Sequence, residues 1–115
     1  MHMLTCKSHV KDVEIMECRG DLNASSMVTL KNKLRRLMEK NRNKVVLDLG
    51  RTNHVDLAAL GILVERIKDV RSAHGDIKLC HVKPTVRKTF KMVGVSKLID
   101  TFATEKAAVR SFQLA

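Results

Sequence analysis

The sequence predicts an α/β fold: one domain spanning residues 1–115, with a mixed, mostly parallel sheet of four to five strands and four helices in the order ββαβαβαβα. Three observations carry that reading. Short Val- and Leu-rich runs alternate with longer segments whose apolar residues recur every three or four positions, so strands alternate with amphipathic helices. The first two apolar runs are separated only by Lys11-Asp12, which suits a hairpin and makes the sheet mixed. A chain of 115 residues, 44% of them apolar, suits one modest core.

Leu4 to His9 and Val13 to Arg19 read as the hairpin strands. Gly20-Asp21-Leu22-Asn23 then breaks the extended pattern, and Asn23, Ser25 and Ser26 are three candidate N-caps. From Met27 the apolar residues fall at Leu30, Leu34, Leu37 and Met38, one face of a helix running to about Lys40. After the polar turn Asn41-Arg42-Asn43, Lys44 to Leu49 is a buried strand. Asp56 precedes the second helix, Leu57 to about Ala73, and its carboxylate is a strong candidate cap. The buried stripe of that helix is Leu60, Leu63, Val64, Ile67 and Val70, and Gly75 is placed to end it in the left-handed conformation. Ile77 to Val82 is another strand. Pro84 suits the first turn of a third helix, with Val86, Phe90 and Val93 inward and an end near Gly94. Leu98 to Phe102 reads as the last strand, and Thr104-Glu105 opens a final helix with Ala108, Val109 and Phe112 facing the core. Parallel strands joined through helices require right-handed crossovers.

Composition narrows the function classes. No apolar run approaches the length of a membrane span, and no signal-peptide pattern opens the chain, so a cytoplasmic address is expected. Cys6, Cys18 and Cys80 are odd in number and lack a Cys-x-x-Cys pair, which argues for small buried residues rather than a disulfide framework or zinc site. The net charge of +10 favours an acidic partner or surface. Lys83, Arg87 and Lys91 share i, i+4 spacing and can form a ridge. No aromatic residues interleave with the basic ones, so nucleic-acid reading has little support. His54, His81 and Asp56 are candidates for a metal or acid–base cluster. No His pair has helical i, i+4 spacing and no Glu accompanies one, so both histidines read as loop residues. The sequence offers no nucleophile–base pair and no phosphate-cradling glycine loop. No catalytic residue, metal or cofactor is expected.

Gly20-Asp21-Leu22-Asn23, Val46-Leu47-Asp48-Leu49 and Val55-Asp56-Leu57-Ala58-Ala59-Leu60-Gly61, in that order and with the late Pro84, resemble the STAS domain family over nearly the whole chain. That family is shared by bacterial anti-sigma factor antagonists and the cytoplasmic tails of sulphate transporters. The resemblance implies a pattern Asp-Ser-(Ser or Thr)-Gly-Leu-Gly after the central strand, whose second hydroxyl residue a partner kinase phosphorylates. Here Asp56, Leu60 and Gly61 fit, whereas Leu57, Ala58 and Ala59 replace the two hydroxyl residues and a glycine, so Ala58 stands at the phosphoacceptor position without an oxygen. Asn23 likewise replaces a carboxylate.

The expectation is a non-catalytic interaction domain that binds an anti-sigma factor or kinase-type protein without being phosphorylated at the usual position. Its contact residues would be Asp21, Asn23, Ser25, Asp56, Leu57, Ala58, Ala59, Leu60 and Gly61. The alternatives are a structural subunit of a larger assembly, such as a stress-sensing complex or lipid-transport ATPase, and an electrostatic binder of an anionic surface. A homo-oligomer stays open.

Overall fold

The computed structural model describes residues 4–113. Its elements are β1 (Leu4–Val10), β2 (Val13–Cys18), α1 (Ala24–Glu39), β3 (Lys44–Asp48), α2 (Leu57–Ser72), β4 (Asp76–Cys80), α3 (Pro84–Met92), β5 (Thr101–Phe102) and α4 (Glu105–Gln113), with a 3₁₀ turn at Ser96–Leu98. The five strands lie in the sheet in chain order. β1 and β2 are antiparallel, and β2 to β5 are parallel neighbours.

That order decides where the helices go. Right-handed crossovers between strands added successively in one direction put α1, α2 and α3 on the same face of the sheet. Their stripes close on Val45, Leu47 and Leu49 there, with Leu30 and Leu34 of α1, Leu63 and Ile67 of α2, and Val86 and Phe90 of α3. Alternate strand residues face the other way. Val13, Ile15, Val46 and Cys80 form a smaller cluster beneath Ala108 and Val109 of α4, the helix that covers the second face. Asp48, next in that alternation, ends β3 on the α4 side with only 4% exposure.

Three helices close with the paired hydrogen bonds of a Schellman motif. Asn41 donates to Met38 and Arg42 to Leu37; His74 donates to Arg71 and Gly75 to Val70; Gly94 donates to Lys91 and Val95 to Phe90. The left-handed residues are Asn41 (φ 57°), His74 (φ 65°) and Gly94 (φ 76°).

Several expectations are corrected here. The left-handed position after α2 belongs to His74, not Gly75. Gly75 is required for space, because a side chain there would overlap the Asn43 backbone, whose carbonyl accepts the Asp76 N–H at 3.0 Å. The last strand is two residues long, because Leu98 closes the 3₁₀ turn onto Val95 instead of joining β4. Of the three candidate caps before α1, Asn23 is the one used, so the helix begins at Ala24. Cys18 and Cys80 are buried, but Cys6 is exposed, since β1 is an edge strand. The basic ridge is divided: the Lys83 Nζ donates to Asn53 Oδ1 at 2.6 Å and Arg87 to Thr101 Oγ1 at 3.2 Å.

Candidate functional site

A single backbone link brings the first two motifs together. Leu22 and Val55 form an isolated parallel bridge, in which Leu22 N–H donates to His54 O (3.0 Å) and Asp56 N–H to Leu22 O (2.9 Å). Leu22 is wholly buried and anchors both loops. The starts of α1 and α2 therefore stand side by side at the C-terminal edge of the parallel strands, where open α/β sheets expose functional surface.

The two helix starts are built differently. At α1, Asn23 and Ser26 form a reciprocal capping box: Ser26 N–H donates to Asn23 Oδ1 at 3.0 Å and Asn23 N–H to Ser26 Oγ at 2.9 Å. At α2, Asp56 occupies the cap position with extended backbone (φ −68°, ψ 140°), but its carboxylate makes no capping hydrogen bond. This corrects the sequence expectation. The bridge to Leu22 fixes residue 56 through its backbone, and its side chain lines a neighbouring cleft instead. The first N–H groups of α2 thus lack both an intrahelical and a side-chain acceptor, which leaves a positive dipole end at the surface.

Exposure divides the expected contact residues. Asp56, Leu57, Ala58 and Gly61 are exposed, with Leu57 at 65%. Ser25 is exposed at the start of α1, and Asp21 and Asn23 are half-buried beside it. Ala59 (1%) and Leu60 (2%) are core residues whose side chains cannot reach a partner; the helical stripe that buries Leu63 also takes these two inward. Ser26 and Thr52 are buried too, whereas Ser25 is exposed.

Some of the surface was invisible in the motifs. Val28 (60% exposed) and Ile62 (38%) lie about one turn into α1 and α2 and add apolar area. A cleft of about 670 Å³ adjoins the helix starts, lined by Asp21, Asn53, His54, Val55, Asp56, Thr85 and Thr89. Thr85 and Thr89 come from α3, some thirty residues from the motif in sequence, and only the fold brings them close. The two loop histidines, His54 and His81, have different surroundings. His54 lies on this cleft, whereas His81 pairs with Asp48, Nδ1 to Oδ2 at 3.0 Å.

Comparison with known proteins places this geometry. Residues 7–108 match the STAS domain. A protein of Bordetella bronchiseptica named as an anti-sigma factor antagonist, BtrV, is 30% identical over 84% of this chain and 84% of its own length. The fold matches the crystal structure of a Thermotoga maritima protein, also named as an anti-sigma factor antagonist, with a TM-score of 0.83 at 23% identity, covering 96% of this chain and 94% of that one. It also matches the Bacillus cell fate determinant SpoIIAA in its phosphorylated form, with a TM-score of 0.71 at 17% identity over 95% and 98% of the two chains.

Proposed function

We propose, from the premise that this chain belongs to the STAS domain family, that it is a non-catalytic regulatory domain of the anti-sigma factor antagonist type. It acts in the cytoplasm and docks a kinase-type anti-sigma factor through the paired starts of α1 and α2, in a contact that phosphorylation at residue 58 does not interrupt.

One observation carries the reading: Ala58 is exposed on the first turn of α2, between exposed Leu57 and exposed Gly61, with no hydroxyl on that turn. A phosphate on such a turn would bring nearly two negative charges that a partner must desolvate, so adding and removing it switches a contact. Ala58 cannot receive one. Leu57 and Ile62 instead present apolar surface, whose removal from water favours a standing complex at roughly 25 cal/mol per Å² before the costs of association. The free N–H groups at the tip of α2 suit an acceptor such as a partner carboxylate or carbonyl. Absence of Cβ at Gly61, where an added one would meet nothing within 4 Å, is not demanded by the monomer and suits close approach by a partner backbone.

The test is incubation of the purified chain with its host's anti-sigma kinase and ATP, followed by intact-mass analysis and size-exclusion chromatography. A complex that persists with no phosphate on the chain is the expected result. Phosphate on Ser25 or on a cleft threonine, with release of the kinase, would transfer the switch elsewhere and contradict the proposal. The same holds if no complex forms.

A further inference from the structure

We propose that Asp48, Cys80, His81 and Glu105 form a binding site for a divalent transition-metal ion of the zinc class, on the opposite sheet face from the docking surface and independent of it. The four residues each offer one donor atom, and all four atoms lie within 4.8 Å of one another. His81 Nδ1 is 3.0 Å from Asp48 Oδ2 and 3.9 Å from Cys80 Sγ. A tetrahedral zinc ion with bonds of about 2.0–2.3 Å spaces its donors roughly 3.3–3.8 Å apart, so small side-chain adjustments would close the shell. The mixture of imidazole, thiolate and carboxylate donors suits zinc or cobalt rather than calcium or magnesium, which take oxygen.

The fold holds these donors from three sides. Asp48 ends β3 and Cys80 ends β4, adjacent and in register. His81 follows in the left-handed region (φ 54°), a conformation that costs a non-glycine residue roughly 1–2 kcal/mol. Glu105 opens α4 above them. The supporting contacts of a metal site are also in place. Gly50 N–H donates to Asp48 Oδ1 at 2.8 Å, which leaves Oδ2 toward the centre. Lys7, the extra residue of the β1 bulge, donates to Glu105 Oε2 at 2.8 Å. Two carboxylates, one thiolate, a divalent cation and the Lys7 ammonium sum to zero charge.

Asp48 and Cys80 are buried, whereas His81 and Glu105 reach solvent and mark the route of access. A bound ion would displace the Cys80 thiol proton to solvent as the metal–sulfur bond forms, with no change of oxidation state.

Cobalt(II) titration of the full chain, followed by absorption spectroscopy, tests the site. The expected result is a thiolate-to-cobalt charge-transfer band saturating at one ion per chain, bleached by added zinc, retained in Cys6→Ser and lost in Cys80→Ser. Should Cys80→Ser fail to fold, His81→Ala decides, because His81 is exposed: it should weaken cobalt binding by at least about tenfold. His54→Ala should leave binding unchanged. Absence of the band in the parent chain, its survival in Cys80→Ser, or unaltered affinity in His81→Ala would each overturn the proposal.

Discussion

A methyl group added at Gly75 would overlap the Asn43 carbonyl oxygen, whereas one added at Gly61 would meet nothing within 4 Å. Gly75→Ala should therefore cost about 3 kcal/mol in urea denaturation, because backbone and not a flexible side chain stands in the way. Gly61→Ala should raise stability by roughly 0.8–1 kcal/mol, since alanine is the better helix former at an unobstructed site, while weakening capture of the kinase. A stabilising Gly61→Ala that leaves capture untouched would mean that no partner backbone approaches there. His74 gives the converse case. It holds the left-handed cap after α2 at φ 65°, so His74→Gly should stabilise by about 0.5–1 kcal/mol, read as a raised thermal midpoint.

At the scale of elements, the helices were legible because a stripe of apolar residues needs only local spacing to announce itself. The stripe Leu60, Leu63, Val64, Ile67 and Val70 is the buried face of α2, joined by Ala59. Termini were less legible, since they depend on distant backbone. Asp56 has the right residue type for a cap, yet the bridge of Val55 to Leu22, thirty-three residues earlier, takes its place in fixing the loop. Asn23 does cap, and its capping box with Ser26 serves the start of α1. Asn23→Ala should cost about 1 kcal/mol, measurable by urea denaturation, and loosen the helix start beside the proposed docking surface. Leu98 to Phe102 misleads in the same manner: its apolar residues suit a strand, but the Schellman end of α3 at Gly94 and Val95 feeds a 3₁₀ turn first.

Across the molecule, the sheet order determines what each face can do. Three crossover helices crowd one face and align two helix starts at its edge, while α4 on the other face opens with Glu105 above the ends of β3 and β4. The family pattern made the first arrangement readable, because its motif is continuous from Val55 to Gly61. It also named Ala59 and Leu60, whose side chains are buried. The cluster of Asp48, Cys80, His81 and Glu105 was unreadable: its members come from three elements up to fifty-seven positions apart, with no metal-motif spacing. The proposed docking surface is tested most directly by calorimetric titration of the host's anti-sigma kinase with the parent chain and with Ala58→Asp. A carboxylate on the first turn of α2 favours the helix dipole, so the variant should fold at least as stably as the parent. Its binding should nonetheless weaken by tenfold or more, as a desolvated charge on that turn requires, and equal affinity in the two proteins would contradict the account.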